Sequence, residues 1–243
     1  MPASPQRPAF YAVGGGRLGD LITLLHPPYT AWHLSYFALG AATAPTLHAD
    51  RLVWGLVAFA LAVGVAAHAL DELHDRPLHT GLSDRTLVVL AVVSLAGAVA
   101  IGVAGSISVT PWLAVLVAAG GLFLPAYNLE LLGGLLHSDL TFAVGWGAFP
   151  AFTGYFVEAE KVAAPGVLIA FGCMLLSVAQ RRLSSPAREL RRRTAGVSGV
   201  RSLPDGSSEE LSVEGLLGPL DGALAAMSMA MVLLACAAVA ARL

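Results

Sequence analysis

The feature that most constrains the fold of this chain is a series of long apolar runs. Seven runs approach the ~20 apolar residues that a helix needs to cross the hydrocarbon core of a bilayer. Only 12% of the residues are charged, against roughly 25% in an ordinary soluble domain. The sequence therefore predicts an all-α, polytopic membrane protein whose helical bundle has about seven transmembrane helices. The runs cover residues 21–47, interrupted by Pro27-Pro28, and then 52–73, 86–105, 111–129, 140–157, 165–183 and 216–241.

The seven runs are predicted to form a single transmembrane domain, residues 20–243. Residues 1–19 are rich in proline and glycine and lack the apolar core of a signal peptide, so a flexible amino terminus is expected there. A polar insertion covers residues 184–215. Within it, a Pro-Asp-Gly turn between short flanks predicts a small β-hairpin from Val200 to Glu209.

Basic residues are distributed unevenly over the predicted loops. If the amino terminus is cytosolic, eleven of the 14 Lys and Arg residues lie in inside segments, and only Arg51, Lys161 and Arg242 lie outside. Because basic loops remain in the cytosol, we expect a cell-membrane protein with its amino terminus and its main polar loops on the cytosolic side. The basic run from Arg188 to Arg193 has two interpretations. A topology signal on anionic lipid headgroups is favoured over a direct role in ligand binding.

Two further predictions concern aromatic side chains near the ends of the predicted spans. His33 either lines a cavity or packs with its imidazole bonded to a backbone carbonyl, and the second interpretation is favoured. An aromatic belt at the membrane interfaces would account for the remaining rings. Its predicted members are Trp32, Trp54, Trp112 and Tyr155.

Titratable side chains are concentrated between His68 and Asp84, at the end of the second run. Asp71 and Asp75 lie four residues apart, so on a helix they project from one face, and His68 precedes them on that face. Two carboxylates at the mouth of a membrane helix favour a divalent cation. Mg²⁺ would use one or two of them and leave positions for a diphosphate. Arg76 would bind phosphate oxygens beside it. A hydrated interfacial loop without a ligand is an equally good interpretation of these residues alone.

Asp71-x-x-x-Asp75, followed by Arg76-Pro77-Leu78-His79-Thr80-Gly81, resembles the first aspartate-rich motif of the UbiA superfamily of intramembrane prenyltransferases. Tyr127-Asn128 and Gly145-Trp146-Gly147 lie where that family has a tyrosine-containing cytosolic segment and a Gly-Trp helix. The resemblance covers roughly residues 20–185.

The resemblance implies a shortened UbiA-like bundle that acts on an isoprenoid diphosphate. Mg²⁺ at Asp71 and Asp75 would assist ionisation, and the allylic cation would then be transferred to an acceptor or cyclise. His68 replaces an acidic residue of the motif and is included among the catalytic residues. The predicted substrate-binding residues are Arg76, Tyr127, Asn128, Gln180, Arg181 and Arg182.

The second aspartate motif of the family is expected at the end of the sixth run, where this chain has Gln180-Arg181-Arg182. We hypothesise that Arg181 and Arg182 neutralise the diphosphate directly, as arginines do in many phosphate sites. One alternative is a catalytically degenerate UbiA-like subunit that binds lipid or a partner chain, as a homo- or hetero-oligomer. No nucleic-acid partner is expected.

A second alternative is a membrane metal oxidoreductase that binds iron or zinc through histidines and carboxylates. His137 and Asp139 belong to its ligand set, although Ser138 or Asp139 would serve equally well as a helix cap. The other predicted ligands are His68, Asp71, Glu72, Asp75 and His79.

Overall fold

The computed structural model describes residues 8–14 and 16–243, and this part of the chain is mainly helical, which confirms the all-α prediction. A short antiparallel hairpin of β1 (Val200–Ser202) and β2 (Ser208–Glu210) follows the seventh helix. The helices are α1 (Gly16–Leu24), α2 (Pro27–Thr43), α3 (Ala49–Asp75), α4 (Asp84–Ser108), α5 (Leu113–Asn128), α6 (Asp139–Ala159), α7 (Ala164–Arg192) and α8 (Val213–Ala240).

Among the described residues, five helices are long and apolar enough to cross a membrane, namely α3, α4, α6, α7 and α8. The chain is therefore an integral membrane protein by the length and composition of its helices. The other two predicted runs form shorter helices, since α2 has 17 residues and α5 has 16.

Serine side chains begin three of the long helices. The Ser83 hydroxyl accepts a hydrogen bond from the amide of Thr86 at the start of α4. Ser138 begins α6 in the same way, and Ser212 begins α8. Each such cap contributes about 1 kcal/mol to helix stability. Of the two predicted cap residues before α6, Ser138 is therefore the one that caps the helix.

The first predicted run, residues 21–47, is split into two helices. His26 adopts a left-handed conformation with φ of 45°, and Pro27 follows it as the first residue of α2. Proline lacks an amide hydrogen and is tolerated at a helix start, whereas in the middle of a helix it would break the hydrogen bonding. The chain therefore turns at His26, and α1 packs against α3 and α4 through its buried Leu24.

Helix α2 occupies the centre of the bundle and packs against α3, α6, α7 and α8. Its contact with α6 is so close that a Cβ on Gly40 would lie 1.9 Å from the carbonyl oxygen of Ala151, and one on Gly154 would lie 2.1 Å from that of Phe37. Such close approach of backbones is typical of helix packing in membranes. It also fixes the position of α6, which carries several of the aromatic side chains of the site.

The central position of α2 makes part of the aromatic-belt prediction wrong. Trp32 and Tyr155 are buried in the core, whereas Trp54 and Trp112 are exposed as predicted. Trp32 is enclosed because neighbouring helices surround α2, so proximity to a span end does not bring its side chain to the lipid interface. Trp32 instead packs with Tyr36 and with Cys173 of α7.

The polar segments differ in extent from the sequence prediction. Helix α7 continues to Arg192, so the irregular part of the insertion predicted at 184–215 begins only at residue 193. The predicted hairpin is confirmed, with Val200 paired to Glu210. Of the predicted flexible segment, residues 1–7 and 15 lie outside the described residues. Residues 8–14 lie beside the loop after α3, where Ala9 and Ala12 are buried against Leu78.

Candidate functional site

A cavity of about 790 Å³ lies at the end of the bundle formed by the ends of α3, α5 and α7 and the start of α2. It brings together predicted site residues from separate parts of the chain. Of the residues predicted for a prenyltransferase site, all but Arg182 line it. The predicted residues that do are His68, Asp71, Asp75, Arg76, Tyr127, Asn128, Gln180 and Arg181.

Helix α7 supplies a basic wall of this cavity. Two of its arginines are neutralised by carboxylates of neighbouring helices: Arg181 donates to Asp139 of α6 at 2.7 Å, and Arg191 pairs with Asp221 of α8. Arg181 also lies over the ring of Phe142, 5.1 Å from its centroid. The predicted role of Arg181 in substrate binding stays a prediction, but its guanidinium already has two protein partners.

The other arginines on this wall have no carboxylate partner within the described chain. Arg188 is half-buried and its side chain donates only to the hydroxyl of Ser185, at 3.4 Å. Arg192 and Arg193 are exposed and also line the cavity. The sequence favoured a topology signal for this basic run. The missed signal is helical spacing, since Arg188 and Arg192 are seven and eleven residues after Arg181 and return to its side of the helix.

Asp71 provides a half-buried carboxylate on the α3 side of the cavity. It forms no ion pair with any residue in the described ranges, although Arg188 and Arg192 are among the charges that act on it. The cavity thus has an unpaired carboxylate on α3 and unpaired guanidinium groups on α7. A ligand between them would need an anionic part toward α7.

Glu72, the neighbour of Asp71, has a structural role rather than a place in the cavity. It is fully buried, and its two carboxylate oxygens accept hydrogen bonds from the amides of Leu78 at 2.9 Å and Thr80 at 2.8 Å. The Thr80 hydroxyl donates a third, at 2.9 Å. These bonds shape the loop that follows Asp75 at the mouth of the cavity.

Arg76 closes the same loop. Its left-handed backbone, with φ of 51°, ends α3, and its guanidinium donates to the carbonyl of Leu82 at 2.7 Å and pairs with Asp84 at the start of α4. The Gly81 amide donates to Asp20 of α1 at 3.1 Å. The phosphate-binding role of Arg76 stays a prediction, and any ligand would compete with these bonds.

Histidines form the inner part of the cavity. The rings of His26 and His68 stack with centroids 4.0 Å apart, and His68 Nδ1 lies 3.1 Å from the carbonyl of Gly64. Burial lowers the pKa of His26, and burial likewise raises the pKa of the adjacent Tyr11 hydroxyl. His33 both lines the cavity and bonds the Trp146 carbonyl at 2.8 Å, so the favoured packing interpretation is confirmed.

Several polar atoms of the cavity lining have no partner in the described chain. They are the Tyr127 hydroxyl, Oε1 of Gln180 and Nε2 of His26, all buried. The Tyr127 ring stacks on His137 with centroids 4.6 Å apart, whereas Asn128 is satisfied by the carbonyl of its own helix at Leu124. Buried polar groups in proteins are almost always hydrogen-bonded. The unpartnered atoms therefore indicate that the cavity takes polar ligand groups or water.

The carboxylates do not fit the two facing acidic clusters that the resemblance implies for Mg²⁺. Ligand atoms of His74, Asp75 and Glu130 lie within 4.8 Å of one another, which is a set for one cation. The opposite wall presents Gln180 and Arg181. Mg²⁺ prefers oxygen ligands, so a set that includes an imidazole suits it less well than a carboxylate cluster would.

The histidine and carboxylate set of the oxidoreductase alternative is only partly available. Glu72 is bonded to the loop after α3, and Asp139 is paired with Arg181. His137 lies 3.6 Å from Glu130 and stacks on Tyr127. Three of the predicted ligands, Glu72, Asp139 and His137, are therefore engaged in other contacts.

A second, apolar cavity of about 690 Å³ lies among α3, α4, α5 and α6, and we call it the apolar groove. Trp146 lines both cavities, so the two are adjacent at this residue. The groove follows α3 from Arg51 to Val63, a rise of about 18 Å. This exceeds half the ~30 Å hydrocarbon core. The groove was not predicted, although small residues along its wall signal it, including Gly55, Gly102, Gly105, Gly120 and Gly121.

Comparison of the whole chain with known protein families, curated proteins and solved structures finds no match. The resemblance to the UbiA superfamily therefore stays a prediction from the motif residues.

Proposed function

We propose that this protein is an intramembrane enzyme of the prenyltransferase type that acts on an isoprenoid diphosphate. The observation that carries the proposal is that a charged cavity and an apolar groove lie side by side, with Trp146 in the lining of both. A ligand that fits both has an anionic head and a long apolar chain. An isoprenoid diphosphate has this composition.

Each part of such a ligand has suitable surroundings. The head would lie against the guanidinium groups of α7, which suit phosphate oxygens by charge and by geometry. The chain would lie in the groove among α3 to α6, whose apolar lining is as compatible with a hydrocarbon chain as the lipid around it. Polar residues line the groove mainly at its far end, at Asp50 and Arg51.

We further propose that the charged cavity faces the cytosol and that the seven helices α2 to α8 all span the membrane. The excess of basic residues at this end supports the orientation. Helices α2 and α5 are short for a span, but neighbouring helices enclose α2, so lipid does not have to solvate its full length. Local thinning of the bilayer would accommodate α5.

In the proposed reaction the bond between C1 of the isoprenoid and the diphosphate oxygen breaks, and both bonding electrons leave with the diphosphate. The allylic cation is then captured by an acceptor that loses a proton, or by a double bond of its own chain with loss of a proton. The arginines of α7 would stabilise the charge that develops on the diphosphate. The rings of Trp146 and Phe142, stacked 5.5 Å apart, would stabilise the cation.

Mg²⁺, where bound, would neutralise further charge on the leaving group. His74, Asp75 and Glu130 are the residues that would hold a single ion. Because the described residues do not form two facing acidic clusters, we assign no step of the reaction to the metal. The unpaired carboxylate of Asp71 is suited to accept the proton that the acceptor or the cyclised chain loses.

The second candidate is a catalytically degenerate subunit that binds a lipid or a partner chain in the same two cavities. The observation that favours it is the wall opposite Asp75, where Gln180 and Arg181 occupy the place of a second acidic cluster. Such a subunit would bind an isoprenoid diphosphate without breaking it.

The test is a diphosphate-release assay on the purified protein with Mg²⁺ and geranyl, farnesyl or geranylgeranyl diphosphate, combined with a measurement of binding. We expect release by the wild type and a large loss of release in Asp71→Asn. Asp205→Asn, a matched change in the exposed hairpin, should behave as wild type. Binding without release would favour the degenerate subunit. Absence of binding to every donor would refute both candidates, and equal release by wild type and Asp71→Asn would remove Asp71 from the site.

A further inference from the structure

For the basic run Arg188 to Arg193, a direct role in ligand binding is the interpretation that the sequence disfavours and that the cavity lining supports. We propose that Arg188 and Arg192 bind the phosphate-bearing head of the ligand directly, without a divalent cation. The inference deepens the proposed function and rests on it for the identity of the ligand as an isoprenoid diphosphate. It moves the anion-binding role from Arg181 and Arg182 to the last two turns of α7.

The arginines of α7 differ in whether a carboxylate of a neighbouring helix pairs with them. Arg181 and Arg191 are held by Asp139 and Asp221, which join α7 to α6 and α8. Arg188 has no such partner in the described part of the chain, and its side chain donates a hydrogen bond only to the Ser185 hydroxyl. Its half-buried charge is therefore left for a ligand to neutralise.

Helix geometry places the second arginine beside the first. Arg192 follows Arg188 by four residues, so the two side chains project from the same face one turn apart. Both line the cavity together with Gln180, whose buried Oε1 atom has no partner among the described residues. Two planar guanidinium groups at this spacing can each bind a phosphate group with paired hydrogen bonds.

An unpaired charge of this kind is costly to keep in a partly buried place. Removal of a charged group from water is compensated in proteins by a paired charge or by several hydrogen bonds. The nearest acidic candidate, Asp71, is not in ion-pair contact with either arginine within the described ranges. An anion between the two walls would supply the missing compensation for α7.

The same residues argue against a role limited to topology. Arg188 is half-buried and lines an enclosed cavity that also contains His26 and His68. A residue that only contacts lipid headgroups would project outward from the bundle, as Arg182 does in its exposed position outside the cavity lining. All four arginines of the basic run, Arg188, Arg191, Arg192 and Arg193, by contrast line the cavity.

The test measures binding to purified full-length protein in nanodiscs of zwitterionic lipid, with excess EDTA and, separately, with Mg²⁺. The probes are inorganic diphosphate and geranylgeranyl diphosphate. We expect both to bind in EDTA, and Arg188→Gln/Arg192→Gln to weaken both by about tenfold or more, because charged hydrogen bonds to the head are lost. The charge-matched control is Arg85→Gln/Arg201→Gln, which removes two exposed arginines outside the cavity and should bind as wild type.

Glutamine and arginine have similar helix propensities, so α7 should remain folded in the variant. Arg188→Lys/Arg192→Lys keeps the charge but removes the guanidinium geometry, and it should recover only part of the affinity. Full recovery by lysine, or equal loss in the Arg85/Arg201 control, would show general electrostatic attraction and overturn the inference. Loss of binding in Arg182→Gln alone would restore the original assignment and overturn it as well.

The outcomes for the inference and for the proposed function are distinct. If geranylgeranyl diphosphate binds only with Mg²⁺ and the arginine variant binds as wild type, the inference fails and the proposed function stands. If inorganic diphosphate binds through the two arginines but no isoprenoid diphosphate does, the anion site stands and the proposed function fails.

A third arm uses nanodiscs that contain phosphatidylglycerol. Complete loss of diphosphate binding there would identify a lipid headgroup as the occupant and overturn the assignment to diphosphate.

Discussion

Glu72 offers the sharpest test of how this site is constructed, because the structure gives it a role opposite to the one its sequence context suggests. Its fully buried carboxylate accepts bonds from the Leu78 amide at one oxygen and from the Thr80 amide and hydroxyl at the other. Substitution Glu72→Gln keeps the size of the side chain. It replaces one acceptor oxygen with an NH₂ group, which cannot accept a hydrogen bond.

The magnitude follows from these three bonds. If the amide oxygen of the glutamine remains on Thr80, the NH₂ group meets the Leu78 amide, and a hydrogen bond to a charged acceptor worth about 1.5–3 kcal/mol is lost. The two bonds to Thr80 become neutral and weaken. We therefore expect the loop after α3 to lose about 3 kcal/mol of local stability, which corresponds to roughly 100-fold faster opening.

The assay is amide hydrogen exchange at Leu78 and Thr80 in wild type and in Glu72→Gln, with Glu210→Gln in the exposed strand β2 as the matched control. Exchange at both amides should accelerate roughly 100-fold in Glu72→Gln and stay unchanged in the control. Acceleration of less than about threefold would refute the reasoning. In the oxidoreductase alternative Glu72 is a metal ligand, so the variant would lose metal affinity while the loop amides stay protected.

Two further predictions concern the bundle and its histidines. Gly40→Ala should prevent the close contact of α2 and α6, because its Cβ would lie 1.9 Å from the Ala151 carbonyl oxygen, and should lower the melting temperature sharply. Gly172→Ala, which has open space at its Cβ, should not. Burial lowers the pKa of His26, so below its ordinary pKa of about 6.5 the unfolded chain binds a proton that the folded protein does not. Stability of the wild type should therefore fall, relative to His26→Asn, as pH drops below about 6.5; parallel curves would contradict this.

The sequence predicted the helices well because lipid burial requires them. A long apolar segment in a membrane must satisfy its backbone hydrogen bonds internally, so each run becomes a helix with little dependence on its neighbours. The break at His26 was also signalled, since Pro27-Pro28 interrupts the first run. The lengths of the helices depend on capping residues such as Ser83 and Ser138, which can be recognised only when the position of the helix is known.

The gathering of the site residues in one cavity was also predictable, because the motifs fall at helix ends on the same predicted side of the membrane. Their individual partners were not. The pairing of Arg181 with Asp139 and the engagement of Glu72 with Thr80 join residues that the pattern treated as free ligands. Such pairings depend on how helices are rotated in the bundle. Spacing within one helix does not encode this rotation.

The junction of the two cavities coincides with two stretches of π-helix, and this explains how one end of the bundle accommodates both. In α3 the π-helical stretch Ala60–Ala67 contributes Val63 to the apolar groove and Ala67 to the charged cavity. In α6 the stretch Ala143–Ala148 contains Trp146, which lines both. A π-helical turn is wider than an α-helical turn and shifts the direction of the side chains that follow it, and such turns are frequent at functional sites. In the proposed function, the two stretches lie beside the place where the head and the chain of an amphiphilic ligand would join, with Asp71 one helical turn after the first stretch and Trp146 within the second.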